Sequence, residues 1–116
     1  RDLQDAWESK GHPWEKAKSF DGACPFSAFV SPEKVGDLQD VQIRLSVNCE
    51  IRQDGNSACM LNKVIPLICY ISQFFTLEPG DVVMTGTPAG VGPIHQGDQI
   101  QVELVGVFSA QTSVLG

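Results

Sequence analysis

Every second side chain between residues 41 and 47 is aliphatic, and the three side chains between them are polar. A period of two places one face of a β-strand in a core and the other in water, so the pattern predicts a strand from Val41 to Val47. Asn48-Cys49 follows, and Glu50 to Gln53 then forms the returning strand of a predicted hairpin. Both central residues of such a turn need positive φ. Cys49 therefore costs about 1 kcal/mol there relative to glycine, or the turn is of another type.

Turn residues and apolar periodicity indicate the other elements. Helices are predicted over Asp2–Lys10 and about Pro66–Phe74, and strands over Val82–Thr85, Ile100–Leu104 and Val107–Val114. Cys24–Val30 is predicted to be a strand or a buried edge segment. Ser31–Asp40 contains proline and glycine and is predicted to be a loop. Because the strands do not alternate with full helices, the pattern favours an α+β, mostly β domain over a doubly wound nucleotide-binding sheet.

Length and charge limit the function. The 116 residues are the size of one domain, and the formal net charge is −6. Nucleic acid is not an expected partner, because neutralising phosphates requires a basic face. No apolar stretch is long enough to span a membrane, so no membrane partner is expected. The chain opens at Arg1 in polar, helix-compatible sequence, from which we expect a piece of a longer protein.

The cysteines at positions 24, 49, 59 and 69 form no C-x-x-C pair, which gives little support to a zinc site. A two-disulfide secreted scaffold stays open, although such folds are usually smaller. The preferred interpretation is reduced, mostly buried thiols in a cytoplasmic protein. His12 and His95 stand in polar turns and are expected at the surface, not as ligands or bases.

Three short motifs are candidates for chemistry. Lys16 and Lys18 are either partly desolvated amines or two surface lysines with buried stems, and composition alone favours the second. The glycine-rich segment 85–93 either cradles an anion with its N–H groups and hydroxyls or only connects two strands, and both interpretations stay open. Arg1 and Gln4, three apart on a helix, can together grip a carboxylate, although a solvated helix end is the more common case.

Several motifs follow one another over nearly the whole chain. They are Arg1-Asp2-Leu3-Gln4, Gly11-x-Pro13-Trp14-x-x-Ala17-Lys18-Ser19-Phe20-Asp21, Cys24-Pro25, Val47-Asn48-x-Glu50-x-Arg52-Gln53, and Thr76-Leu77-x-Pro79-Gly80-Asp81-Val82-Val83-x-Thr85-Gly86-Thr87-Pro88-x-Gly90-Val91-Gly92. In this combination the chain resembles the fumarylacetoacetate hydrolase family, most closely its small acylpyruvate hydrolase and oxaloacetate decarboxylase members. Cys49 departs from the pattern, since these proteins usually have glycine there.

The resemblance implies a mixed β-roll and a homodimer, with residues 1–116 forming the C-terminal part of a catalytic domain. It also implies Mg²⁺ or Mn²⁺ held by three carboxylates. In the family these ligands lie upstream of the position of Arg1, so no metal ligand is assigned within this chain. The lid segment with its acid/base pair is upstream as well, and the isolated chain is therefore expected to be inactive.

Position by position, Lys18 matches the family's catalytic lysine. Thr87, with Gly86 beside it, matches the threonine that hydrogen-bonds the substrate carboxylate, and Arg1 and Gln4 match substrate-side or metal-shell groups. The implied reaction is metal-dependent cleavage of a C–C bond in a small 2-oxo or 1,3-diketo acid, by acylpyruvate hydrolysis or oxaloacetate decarboxylation. The alternatives are an isomerase or decarboxylase of hydroxymuconate-type acids in aromatic catabolism, and a non-catalytic β-domain for binding or assembly.

Overall fold

The computed structural model describes residues 2–13 and 15–115. Within these residues the α-helices are α1 (Asp2–Glu8), α2 (Pro32–Val35) and α3 (Val64–Ile71). Short 3-10 helices cover Glu15–Ala17 and Ser57–Cys59. The strands are β1 (Gln42–Val47), β2 (Glu50–Asn56), β3 (Gln99–Leu104) and β4 (Phe108–Ser113). None of the helices in this part of the chain is long and apolar enough to cross a membrane.

The strands form one antiparallel sheet in the order β2-β1-β3-β4. Leu45 on β1 lies opposite Val102 on β3, and residues directly opposite each other on antiparallel strands point to the same side. The predicted alternation is therefore confirmed for β1 and β3. It produces a side that we call the apolar face, formed by Ile43, Leu45, Val47, Ile100, Val102, Leu104, Phe108 and Ala110.

The apolar face is thinly covered by the described residues. Among them Val41 and Val47 are the buried apolar side chains, at 9% and 4% exposure, whereas Val102 on an inner strand is 39% exposed. The Cα radius of gyration is 15.7 Å, and a compact chain of this length has a radius of about 13 Å. Apolar surface of this extent is typical of a side that packs against further protein.

A β-bulge in β2 decides which side chains reach the apolar face. Ser46 pairs with Ile51 while its neighbour Leu45 pairs with Gln53, so Arg52 is an extra residue in the ladder. Strict alternation from Ile51 would have set Arg52 opposite Leu45. The bulge instead brings Gln53 to that position, on the apolar face.

The hairpin between β1 and β2 turns at Asn48-Cys49, as predicted. The φ angles are 52° and 68°, the left-handed pair that a two-residue hairpin turn requires. The Asn48 side chain ties the turn to β3, because its Nδ2 donates to Asp98 Oδ1 at 2.8 Å and its Oδ1 accepts the Gln99 N–H at 2.9 Å. Asn48 therefore anchors the turn, while Cys49 carries strain that a glycine would avoid.

Both predicted helices are present. Helix α1 ends at Glu8, two residues before the predicted end. Helix α3 begins at Val64 and ends at Ile71, and it holds Pro66 in its first turn, where a proline costs no hydrogen bond. Gln39 Oε1 accepts the Val64 N–H at 2.9 Å and so satisfies one of the unpaired donors at the start of α3.

Two predicted strands are absent from the described structure. The segments 24–30 and 82–85 lie in no ladder, and 24–30 is not a buried segment either, since Phe26 is 58% and Phe29 76% exposed. Pro25 cannot donate a backbone hydrogen bond, and apolar composition alone does not supply a partner strand. In the second segment Val82 is 47% and Met84 76% exposed, so neither side chain is held by a facing strand.

The predicted loop 31–40 contains helix α2. Pro32 starts this helix, since its fixed φ suits the first helical position. Gly36 ends it with a φ of 77°. The prediction was wrong because proline and glycine were interpreted as loop residues, whereas here they mark the two ends of one helical turn.

All four cysteines are unpaired and exposed, so the predicted burial of the thiols was wrong. The exposure follows from their positions, since Cys49 occupies the tip of the hairpin and Cys69 the outer side of α3. His12 and His95 are exposed, as predicted.

Candidate active site

The glycine-rich segment 85–93 lies against the edge strand β2. Gln53 joins the two, because its Nε2 donates to Thr87 Oγ1 at 2.8 Å and to the Pro88 carbonyl oxygen at 2.8 Å. Gln53 is half-buried on the apolar face, and Thr87 is exposed. The two hydrogen bonds therefore hold the Thr87 hydroxyl above the edge of the sheet, where a ligand can reach it.

Two glycines let the segment lie this close to β2. A Cβ on Gly90 would come within 1.9 Å of the Arg52 carbonyl oxygen, and a Cβ on Gly55 would come within 2.7 Å of Pro88 Cγ. Gly90 also has a φ of 103°, which residues with a side chain rarely adopt. At Gly90 the backbone of the glycine-rich segment therefore packs directly against the backbone of the bulge at Arg52.

Gly86 has a different surrounding. Its φ is 100°, and an added Cβ would meet no atom within 4 Å. The turn thus needs glycine at this position for its backbone conformation rather than for space. Accessible N–H groups and a hydroxyl in such a turn are able to bind an anion. Anion binding by Gly86 and Thr87 stays a prediction.

The other predicted site residues lie in the N-terminal segment. Gln4 is on α1, where its Nε2 donates to Glu8 Oε1 at 2.7 Å. Lys18 follows the first 3-10 helix, its backbone N–H donates to the Glu15 carbonyl oxygen at 2.9 Å, and its side chain is exposed. Arg1 lies outside the described residues. The convergence of Gln4 and Lys18 with Thr87 stays a prediction.

Two open concavities lie on other parts of the described surface. One, of about 390 Å³, lies beside the β3–β4 turn and is lined by Arg44 and Glu103 among others. The other, of about 450 Å³, extends from Leu61 to Tyr70 along α3. The predicted site residues line neither of them. The candidate site is thus the exposed part of segment 85–93 around Gly86 and Thr87, above β2, which we call the candidate turn.

The described residues do not fit a three-carboxylate metal centre. Among residues 2–13 and 15–115 no group of three or more His, Cys, Asp or Glu side chains is placed to hold a metal ion. Mg²⁺ prefers several carboxylate and water oxygens in octahedral geometry. Metal ligands outside this chain stay a prediction.

Asp98 is held in its ionised form beside the hairpin turn. The backbone N–H of His95, 2.8 Å from Asp98 Oδ2, is the main cause that lowers the pKa of Asp98, and the Asn48 amide is the second. The Asp98 side chain is 15% exposed. This carboxylate therefore supports the link between the hairpin and β3.

Asp54 lies on the polar side of the sheet. Its pKa is lowered chiefly by the Gln42 amide, which donates to Asp54 Oδ1 at 2.8 Å. Arg44 Nη2, 3.2 Å from Asp54 Oδ2, lowers the pKa of Asp54 further. Arg44 Nη1 also lies 3.9 Å from Glu103 Oε2. Since this cluster faces away from Gln53, it bears on the stability of the sheet.

No role for Gln53 or Gly55 was predicted from the sequence. Both lie on the apolar face of β2, where the other strands carry aliphatic side chains. A glutamine and a glycine two residues apart on an apolar face could have indicated that another segment contacts the strand there, because neither residue fills a core well. The bulge hid the signal, since plain alternation puts Gln53 on the opposite side.

Residues 1–115 match the family model described as fumarylacetoacetate (FAA) hydrolase C-terminal. Oxaloacetate tautomerase YcgM of Escherichia coli (strain K12) is 52% identical over 116 residues, which are 99% of this chain and 52% of that protein. The crystal structure of a fumarylacetoacetate hydrolase family protein from Yersinia pestis CO92 has a TM-score of 0.91 at 47% identity, over 98% of this chain and 52% of that one. The 5-carboxymethyl-2-hydroxymuconate delta-isomerase of Mycobacterium smegmatis has a TM-score of 0.84 at 34% identity, over 96% of this chain and 43% of that one.

The likeness to these structures confirms the predicted fold class. The chain spans about half the length of the curated relatives that it matches, 52% in the E. coli protein. The family model covers the helix with Gln4, the turn with Lys18 and the segment with Thr87. The chain belongs to the fumarylacetoacetate hydrolase family of enzymes.

Proposed function

We propose that the full-length protein acts on small 2-oxo acids through an enolate, and that its main reaction is the keto–enol tautomerisation of oxaloacetate. The observation that carries the proposal is the exposed Thr87 hydroxyl, which Gln53 holds beside Gly86, a glycine with a φ of 100°. Such a turn suits the carboxylate that every 2-oxo acid carries. The 52% identity to the E. coli oxaloacetate tautomerase supports oxaloacetate as the substrate.

Each predicted site residue has a role in this reaction. Thr87 and the turn at Gly86 bind the substrate carboxylate, and Gln4 and Arg1 bind the substrate on its other side. A base from the acid/base pair outside these 116 residues accepts one proton from C3 of oxaloacetate. The electron pair of that C–H bond forms the C2–C3 double bond, and the π electrons of the C2 carbonyl move onto the keto oxygen. The Lys18 ammonium stabilises the negative charge on this oxygen or donates one of its own protons to it, which gives the enol, and the base then returns a proton to the neutral amine.

Three further properties of the full-length protein are part of the proposal. Mg²⁺ or Mn²⁺ would be held by carboxylates outside these 116 residues, and when bound it would supply Lewis-acid stabilisation of the enolate. The protein is a homodimer, which the exposed apolar side chains of the described part support. It acts in the cytoplasm, which the four unpaired, exposed thiols support.

Cleavage of a C–C bond is the second candidate. Acylpyruvate hydrolysis and oxaloacetate decarboxylation both leave an enolate, so they need the same carboxylate-binding turn. The likeness to a hydroxymuconate isomerase favours a proton-transfer reaction on a related acid as an alternative. A non-catalytic β-domain is the alternative that predicts no turnover at all.

The test uses the full-length protein and a panel of oxaloacetate, acylpyruvates and hydroxymuconate-type acids. Loss of the enol absorbance of oxaloacetate measures tautomerisation, and a coupled lactate dehydrogenase assay measures release of pyruvate. Tautomerisation should exceed pyruvate release. A larger rate of pyruvate release would favour cleavage, and no turnover on any acid would favour the binding domain.

Lys18→Ala and Thr87→Val test the site itself. Removing the amine should lower kcat by about 100-fold or more, and removing the hydroxyl should raise KM. Thr87→Ser, which keeps the hydroxyl, should stay within about threefold of the wild type, a margin well below the value of one hydrogen bond to a charged group. Lys34→Ala on α2 is the matched lysine control. Unchanged kinetics in Lys18→Ala and Thr87→Val would refute these roles.

A further inference from the structure

Gln53 presents one defined atom to the segment above it. Its Nε2 lies 2.8 Å from both Thr87 Oγ1 and the Pro88 carbonyl oxygen. A carbonyl oxygen only accepts hydrogen bonds, so the atom of Gln53 that faces Pro88 must be the amide nitrogen and not the amide oxygen. The orientation of the Gln53 amide is therefore fixed by Pro88.

This orientation also decides what the Thr87 hydroxyl does. The two N–H groups of the Gln53 amide go to two acceptors, the Pro88 carbonyl oxygen and Thr87 Oγ1. Because Thr87 Oγ1 accepts here, the hydroxyl proton must point elsewhere. Thr87 is exposed, so this proton is available to an acceptor outside the protein.

We propose that Gln53 is a positioning residue that sets the Thr87 hydroxyl as a hydrogen-bond donor toward the substrate carboxylate. The inference rests on the proposed function of Thr87. It narrows the substrate class to acids with an ionised carboxylate at this position, because a charged acceptor makes the stronger bond with a donor hydroxyl. An ester of the same acid should bind less well.

The surroundings of Gln53 leave little freedom in this arrangement. The bulge at Arg52 directs Gln53 to the apolar face, under the segment. Gly90 lies against the Arg52 carbonyl, and Pro88 lies against Gly55. With the backbone held on both sides of Gln53, the main remaining variable is the rotation of the Thr87 hydroxyl, and the bond from Gln53 restricts it by keeping the hydroxyl proton from pointing toward Gln53.

The test compares Gln53→Glu with Gln53→Met in the full-length enzyme. The ionised carboxylate introduced by Gln53→Glu would accept the Thr87 proton and withdraw it from the substrate. We expect KM for oxaloacetate to rise about tenfold in Gln53→Glu, which is the value of a hydrogen bond to a charged group, with kcat within about threefold. The rise should shrink as the pH falls, because a protonated carboxyl donates again. Gln111→Glu on the exposed strand β4 is the control for the added charge.

A double-mutant cycle separates positioning from support of the fold. Gln53→Met should raise KM in the presence of Thr87 and have no further effect in Thr87→Val, since the group on which it acts is gone. Equal effects in both backgrounds would show a structural role and overturn the inference. If Gln53→Met fails to fold, the nearly isosteric Gln53→Glu and its pH dependence decide.

The two proposals fail in distinguishable ways. If Thr87→Val raises KM and neither Gln53 variant does, the inference is wrong while the proposed role of Thr87 stands. If Thr87→Val leaves KM unchanged, both fall together. A KM rise in Gln53→Glu that does not change with pH also overturns the inference.

Discussion

The carbonyl oxygen of Arg52 occupies the place that a side chain on Gly90 would need, 1.9 Å from the position of its Cβ. Arg52 is the extra residue of the bulge, so a local irregularity of β2 and a glycine 38 residues later in the chain form one contact. Since Gln53 is next to Arg52 and holds Thr87, this contact determines how close the candidate turn sits to the sheet.

The first prediction concerns Gly90→Ala in the full-length protein. A methyl group there must push the segment away from Arg52 and stretch the Gln53–Thr87 hydrogen bond. We expect KM for oxaloacetate to rise. The free energy of unfolding should fall by more than about 1–2 kcal/mol, which is the cost to an alanine of positive φ alone. Differential scanning calorimetry and steady-state kinetics measure the two effects.

Gly80→Ala is the matched control for this prediction. Gly80 has a φ of 102°, almost equal to that of Gly90, but an added Cβ meets no atom within 4 Å. The Gly80→Ala variant should lose only the stability that positive φ costs an alanine, and its KM for oxaloacetate should stay that of the wild type. Equal losses of stability in the two variants would mean that the Arg52 contact does not constrain the segment.

The second prediction concerns the hairpin turn. Cys49→Gly should raise the free energy of unfolding by about 0.5–1 kcal/mol, because relief of the positive-φ strain exceeds the entropy that glycine adds to the unfolded chain. Asn48→Gly should lower the free energy of unfolding, since the hydrogen bond that Asn48 donates to Asp98 and the one that it accepts from the Gln99 N–H are both lost. Chemical unfolding of both variants gives the comparison. A less stable Cys49→Gly would show that the thiol makes a compensating contact.

The parts of the fold that sequence predicted are those set by neighbouring residues. Alternation over Val41–Val47 and the pair Asn48-Cys49 depend on a few consecutive residues, and strand β1 and its turn were predicted from them. The segment 24–30 has strand-like composition but no partner, and a partner is a property of the whole chain.

The candidate site was predicted in part. The resemblance named Thr87, and the structure adds how Thr87 is held. The hydrogen bond from Gln53 to Thr87 joins residues 34 positions apart and depends on the bulge at Arg52. No periodic pattern in the sequence predicts this bulge. A residue whose function is to orient another side chain is visible only when both are placed in space.

The third prediction concerns acid. Hydrogen bonds in the folded protein lower the pKa of Asp98 and of Asp54 below the value of about 3.9 that an aspartate has in an unfolded chain. Stability from these two groups is therefore complete above that pH and is lost as the pH falls toward the lowered folded-state pKa values. At pH 5–7 both aspartates are ionised in the folded and in the unfolded protein, because this range lies about one unit or more above their pKa values in either state. We therefore expect the melting temperature to be insensitive to these groups at pH 5–7 and to fall below about pH 4.

Asp98→Asn isolates one of the two groups. The amide cannot ionise, so the variant should be less stable at neutral pH and should lose less stability on acidification than the wild type. Asp21→Asn, at an exposed turn position, is the control for loss of one negative charge. If the melting temperatures of the wild type and of Asp98→Asn fell equally with pH across the acid range, Asp98 would not be a source of the acid sensitivity.

The last prediction separates the candidate turn from the proposed metal. If the ligands of Mg²⁺ or Mn²⁺ lie outside these 116 residues, Thr87→Val and Lys18→Ala in the full-length protein should bind Mn²⁺ with wild-type affinity while turnover falls. A chelator should abolish turnover of the wild type, and added Mn²⁺ should restore it. The 116-residue chain alone should show no turnover with or without the ion. Manganese titration followed by electron paramagnetic resonance measures the affinities, and a weaker affinity in Thr87→Val would place that residue at the metal rather than at the carboxylate.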